Sequence, residues 1–303
     1  MSSIQKVALL GKGFLGSAVL ENLVNAGFTV TVFTRSRDSL QGIPAEVKVA
    51  EVDYSSAGSL EVALRGHDAV VSTLALQAIP LQKLAIDASI LAGVRRFVPA
   101  DFGALTVDPR ADALPNHGRL LEIQQYLREK ASSGELEYTI FAVGPFLENV
   151  LSKPFALNYE SHTAVLYDDG NHPFSTTSVN TIGKAVAAAL KDARATKNRV
   201  LRIHNTVLTQ QKLLALARKH AAPGVVWKES RVDADAELAS AIKRVTTGDL
   251  SPLALLAVIR AAVLGGKYEA EYKDVDNEWL GLGFLSDLEL EKKFSAQTLN
   301  VTH

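Results

Sequence analysis

The stretch from Lys6 to Ser36 constrains this chain more than any other. Val7 to Leu10 is an apolar run of strand length that breaks into Gly11-Lys12-Gly13-Phe14-Leu15-Gly16. Ser17 to Ala26 then carries apolar residues at helical spacing, Gly27 ends that helix, and Thr29 to Phe33 is a β-branched second strand. The result is a strand–turn–helix–strand unit with Gly-x-Gly-x-x-Gly at its first turn, the setting in which that motif marks a dinucleotide site. Gly11, Gly13 and Gly16 allow the tight turn, the close approach of a pyrophosphate and close helix–strand packing. The amides of Phe14 and Leu15 open the helix, whose free N–H groups and positive dipole end face the phosphates.

The end of the second strand discriminates between dinucleotides. An NAD site places Asp or Glu there to accept from the adenosine ribose. This chain reads Thr34-Arg35-Ser36-Arg37, with no acid before Asp38. A carboxylate would repel a 2′-phosphate, whereas the Arg35 fork with the Thr34 and Ser36 hydroxyls would bind it. The expected cofactor is therefore NADP.

Further strands are expected at Val47–Val52, Ala69–Leu74, Arg96–Pro99 and Tyr138–Val143, and helices at Ser59–Leu64, Gln82–Ala92 and Leu114–Ala131. This alternation predicts an α/β fold, a doubly wound parallel sheet of Rossmann type. Ligands of such sheets lie beyond the carboxyl ends of the strands. Asp53, Thr73, Leu74, Ala75, Ala100, Asp101, Phe102, Gly144 and Phe146 stand at such ends. A strand at Ala164–Tyr167 runs into the turn Asp168-Asp169-Gly170-Asn171. A helix at Val179–Leu190 and a strand at Arg199–Ile203 return to the main sheet. After Thr209 the reading is mostly helical, with candidates at Gln210–Lys219, Ala234–Arg244 and Ser251–Leu264. The expected domains are 1–152 with 175–206 for the nucleotide, and 153–174 with 207–303 for a smaller, mainly helical substrate cap. Trp227 and Trp279 are expected to pack as core rather than line the pocket.

Composition narrows the function. With 32 Lys and Arg against 33 Asp and Glu, interspersed, nothing points to nucleic acid or an anionic membrane. The absence of cysteine excludes disulfides and thiolate chemistry, and the seven histidines show no metal-ligand spacing, so no metal is expected. The first strand begins within a few residues of Met1 and no apolar run approaches spanning length, so a cytoplasmic monomer or homodimer acting on a small molecule is expected.

The segments Gly11–Gly16, Val30–Arg35, Gly66–Ser72, Ala92–Gly103, Gly144-Pro145-Phe146 and Tyr167–Thr176 resemble the NmrA-like and isoflavone-reductase-like branch of the atypical short-chain dehydrogenases, in its fungal form. The resemblance implies NADP(H), with the nicotinamide near Thr73–Ala75, Ala100–Phe102 and Gly144–Phe146. It also implies reduction of aromatic or enone-like metabolites, often in secondary metabolism. Family reductases carry a lysine near the start of the helix before the sixth strand, and here that position is Leu120. Leucine can neither carry a proton nor bond a ribose. Tyr126 and Lys130 match Tyr-x-x-x-Lys but lie roughly 9–12 Å too far along the helix. His117, at the helix start, and Asp101 are the catalytic candidates, as proton donor and orienting carboxylate. Three activities remain open: an NADPH-dependent reductase first, then a redox-neutral isomerase, dehydratase or cyclase, then an NADP-sensing regulator.

Overall fold

The computed structural model describes residues 3–115 and 117–301. Its strands are β1 (Lys6–Leu10), β2 (Thr29–Thr34), β3 (Lys48–Glu51), β4 (Ala69–Ser72), β5 (Arg96–Val98), β6 (Phe102–Gly103), β7 (Glu137–Ala142), β8 (Thr163–Tyr167), β9 (Phe174–Thr176), β10 (Arg199–Arg202), β11 (Thr206–Leu208) and β12 (Lys228–Val232). The helices are α1 (Phe14–Asn25), α2 (Ala57–Leu64), α3 (Leu81–Leu91), α4 (Gly118–Ser132), α5 (Leu147–Ser152), α6 (Val179–Lys191), α7 (Gln210–Lys219), α8 (Ala234–Thr246), α9 (Pro252–Leu264) and α10 (Asp287–Val301).

The main sheet runs β10-β7-β5-β4-β1-β2-β3, every pair parallel, with β6 also pairing β7. Its order turns back between β1 and β4, which opens a crevice at the carboxyl ends beside the glycine turn. The strands are apolar on both sides because both faces are covered. Leu9, Val19, Val71, Phe141, Ile182 and Val186 fill the face under α1 and α6. Leu10, Phe33, Leu60, Ile86, Phe97 and Leu127 fill the face under α2, α3 and α4. This is the doubly wound fold expected from the alternation.

A third core gathers Phe155, Leu166, Trp227, Leu238, Val258 and Phe294 from the later elements. Two small pairings accompany it, β8 with β12 in parallel and β9 with β11 antiparallel. The segment after Thr209 is thus less purely helical than its spacing suggests. The same core also takes Leu105, Leu114, Leu147 and Val150. The chain then returns to the main sheet: Asp276 accepts from the Arg202 amide at 2.9 Å, and the Asn277 amide donates to the His204 carbonyl at 2.7 Å. Trp227 packs as core against Tyr159, as expected. Trp279 does not: it is half exposed, with the Arg199 guanidinium 5.2 Å over its ring.

Candidate dinucleotide and catalytic site

At the end of β1 the chain turns at Gly11 with φ +90°, a value that L side chains rarely adopt. Helix α1 begins behind Gly13 with no side chain capping it, so its first-turn N–H groups stay available to an anion. A Cβ at Gly13 would meet nothing within 4 Å, whereas a Cβ at Gly16 would lie 2.5 Å from the Gly11 carbonyl oxygen and 2.6 Å from Thr73 Oγ1. The outer side of the turn is therefore open and its inner side closed, as a cradle for a pyrophosphate requires. Thr73 at the end of β4 holds the turn by donating to the Gly11 carbonyl at 2.8 Å.

Beneath the turn, Tyr54 donates its hydroxyl to the Phe33 carbonyl at 2.8 Å and is buried, which pushes its ionisation up. No sequence motif points to this residue. Thr34 Oγ1 donates to the Ser36 carbonyl at 2.8 Å and shapes the loop after β2. Arg35 stands exposed beside it, while Arg37 donates to the Val49 carbonyl at 2.8 Å and is tied to β3. Asp53 accepts from the Ser55 hydroxyl and amide, at 2.6 and 2.8 Å; those bonds hold its carboxyl below the usual range. The exposed Phe14 ring sits 6.4 Å from Phe146, so the two aromatics border the crevice between α1 and the end of β7.

Towards the other end, Leu74 is half-buried, Ala75 is exposed, and buried Ala100 donates its amide to Gln82 Oε1 at 2.6 Å. Phe102 stacks on Phe141 at 5.8 Å. Gly144 turns at φ +71° with its amide on the Gly103 carbonyl, and Pro145 follows it with its carbonyl accepting from Thr176 Oγ1 at 2.7 Å. Tyr272, another residue without a local signal, lies fully buried against this point. Its hydroxyl donates to the Ala104 carbonyl at 2.8 Å and accepts from the Gly144 amide at 3.3 Å.

Asp101 is 1% exposed, and its two oxygens accept from Thr106 Oγ1 at 2.9 Å and Gln124 Nε2 at 2.7 Å. It orients Gln124 rather than His117. Burial pushes its carboxyl up; the Gln124 and Thr106 bonds and the nearby His117 oppose that rise without cancelling it. Because the folded chain holds this proton more tightly than the unfolded one, stability falls as pH rises from the ordinary 3.8 through the raised value. Asp101→Asn removes that dependence. Its urea midpoint relative to the unsubstituted protein should climb across the window and then level; a difference flat with pH would refute the raised carboxyl.

His117 caps α4 with its backbone, and its ring is buried with Nε2 3.6 Å from Asp112 Oδ1. His117 and Leu120 share a helix face and border a cavity of about 90 Å³, lined also by Leu105, Thr106, Leu114 and the α9 residue Ile259. Among its described lining residues His117 is the titratable one. Tyr126 and Lys130 point elsewhere: the Tyr126 hydroxyl meets Asp87, and Lys83 and Lys130 stand over its ring at 4.7 and 5.4 Å. Asp168 and Asp169 form a turn, Asp169 accepting from the Asn171 amide at 2.9 Å. No helix among the described residues is long and apolar enough to cross a membrane.

The same architecture occurs in the leucoanthocyanidin reductase–NADPH complex of Vitis vinifera, with a TM-score of 0.75 over 97% of this chain and 99% of that one at 18% identity. In sequence the chain is 34% identical over 285 residues to the oxidoreductase aprR of Aspergillus flavus, covering 91% of this chain and 94% of that protein. It is 27% identical to the isoflavone reductase homolog IRL of Zea mays, covering 85% of each. The model of the NmrA-like family matches residues 5–237. The chain belongs to the NmrA-like family.

Proposed function

We propose that this protein is an NADPH-dependent reductase of a small, neutral, aromatic or polyketide-like metabolite, of the kind made in secondary metabolism. One observation carries the reading. An open glycine turn flanked by Arg35 shares a sheet edge with an apolar cavity in which His117 stands one helical turn from Leu120. The names of the relatives, an oxidoreductase and an isoflavone reductase homolog, and the NADPH held by the structural neighbour support it.

Gly11, Gly13, Phe14, Leu15 and Gly16 would hold the pyrophosphate, Thr34, Arg35 and Ser36 the adenosine end, and Thr73–Ala75, Ala100–Phe102 and Gly144–Phe146 the nicotinamide end. Bound NADPH would supply the hydride. His117 would hold the proton that goes to the substrate in place of the missing lysine, and the leucines and Ile259 would keep water from it. Leu120 also favours a second reading, a redox-neutral enzyme in which His117 moves a proton without net reduction. We further propose that residues 1–152 with 175–206 bind the nucleotide and 153–174 with 207–303 form the cap, two parts that share core: Leu105, Leu114, Leu147 and Val150 join the third core, and Leu280 and Leu282 pack against the main sheet.

Calorimetry tests the cofactor assignment. The protein should bind NADPH more tightly than NADH, and Arg35→Ala should cut the NADPH affinity by about 10- to 100-fold, as expected for a lost charge-assisted contact. Equal affinity for the two nucleotides would remove Arg35 from the site.

A further inference from the structure

Strands β5 and β6 run along the same edge of β7 but out of step with each other. Arg96 and Phe97 stand opposite Glu137 and Tyr138, whereas Phe102 and Gly103 stand opposite Phe141 and Ala142. The step from Phe97 to Phe102 is five residues and that from Tyr138 to Phe141 three, so two residues bulge out at the carboxyl edge of the sheet. Bulges of this kind re-aim a chain beside active sites. Pro99 has no amide to give a ladder, and the buried amide that follows it, on Ala100, donates instead to Gln82 Oε1 at 2.6 Å. Gln82 stands in the first turn of α3 and is fully buried, yet among the described residues its Nε2 has no acceptor. A methionine would fill the same space without burying an unpaired amide. What it could not do is accept from Ala100.

We propose that Gln82 is a positioning residue for the nicotinamide end of the site: it pins the bulge to α3 and so fixes the wall from Ala100 to Phe102. The proposal rests on the cofactor reading above, which puts the nicotinamide against that wall. A second glutamine ties the bulge to α4, where Gln124 donates to the Asp101 carboxylate at 2.7 Å. That tie ends on a side chain, with two rotatable bonds between it and the main chain. Gln82 takes the main chain itself and therefore sets where the wall lies. The glycine turn and Arg35 belong to β1 and β2, so the adenosine end of the site does not depend on this bond.

Gln82→Met keeps the volume and removes the acceptor. Calorimetric titration with NADPH and with adenosine 2′,5′-bisphosphate, which lacks the nicotinamide half, reads the two ends of the site separately. NADPH should weaken by about tenfold, while the bisphosphate stays within about twofold of its affinity for the unsubstituted protein. Gln82→Glu keeps an oxygen at the Ala100 amide and should recover most of the NADPH loss. Gln82→Asn draws the amide back by one methylene and should repeat the methionine result; it decides the question if the methionine variant does not fold. A loss shared equally by both ligands, a loss that Gln82→Glu does not recover, or an unchanged NADPH affinity would overturn the proposal. If the unsubstituted protein binds neither ligand, the cofactor reading fails and the positioning role with it. If it binds both and the variants bind as it does, only the positioning role falls.

Discussion

Alanine at Gly144 will remove a large part of the protein's stability, while alanine at Gly134 will remove little. Both glycines sit in the left-handed region, at φ +71° and +76°. Forcing an L side chain there costs about 1–2 kcal/mol. The surroundings differ. At Gly134 an added Cβ meets nothing within 4 Å, but at Gly144 it would lie 2.0 Å from the Ser175 carbonyl oxygen and 2.7 Å from the Ser175 carbonyl carbon. These are backbone atoms of β9, and they cannot swing aside. Ser175 donates its amide to the Ala270 carbonyl at 2.8 Å, and Thr177 Oγ1 donates to both the Val143 and Ile203 carbonyls.

Overlap with a fixed backbone adds about 1–3 kcal/mol or more to the conformational cost. The sum for Gly144→Ala is about 2–5 kcal/mol, against a typical total of about 5–15 kcal/mol. Urea unfolding of the two variants side by side isolates the steric part as their difference. If Gly144→Ala unfolds no earlier than Gly134→Ala, β9 does not press on the end of β7 as described. The contact matters for function because Pro145 and Phe146 follow directly and border the crevice.

The glycine turn and its flanking strands were legible from residue order alone because local chemistry dictates them. Gly11 must turn the chain, Gly16 must admit a backbone oxygen, and β-branched runs make buried strands. Helix α4 starts later than the spacing predicts, and the reason is present in the sequence. Helical spacing suggests Leu114, but Pro115 follows it, and the residue before a proline is pushed out of the helical region. Leu114 accordingly sits at ψ 136°, closing a short 3₁₀ turn that Asp108 caps, and α4 waits until Gly118.

Other features had no local signal. Strand β12 reads Lys228-Glu229-Ser230-Arg231-Val232, mostly exposed and without apolar alternation; only its pairing to β8 makes it a strand. Tyr272 reaches Gly103, Ala104 and Gly144 across 128 to 169 residues of sequence, a contact set by topology. Helix α10 has a weak apolar face whose buried residues, Leu290 and Phe294, serve the third core. The Tyr126–Lys130 spacing shows the opposite case. The pattern is present, but the helix turns that face towards α3, where Asp87 and Lys83 occupy it. Spacing along a helix says which residues share a face and not which way the face looks.

Removing the imidazole at position 117 should abolish most turnover while leaving NADPH affinity intact. The cavity beside Leu120 has His117 as its titratable lining side chain, with Thr106 as the other polar one. Thr106 already spends its proton on Asp101 at 2.9 Å. A positioned acid of this kind contributes about 10²–10⁴-fold to a proton-transfer step. With a neutral aryl enone as acceptor, His117→Ala should therefore lower kcat by about that factor. Leu120 lies one turn along the same face, so Leu120→Lys in the His117→Ala background returns a proton-carrying group to the same cavity. It should restore at least about tenfold of the lost rate if position does the work. The measurement also decides between the two chemistries. Reduction consumes reduced nicotinamide in step with product, whereas an isomerisation or dehydration proceeds with the nicotinamide absorbance unchanged. Full kcat in His117→Ala would sink the imidazole's role in either chemistry, and the proton would then have to come from solvent entering the cavity that Leu105, Leu114 and Ile259 line.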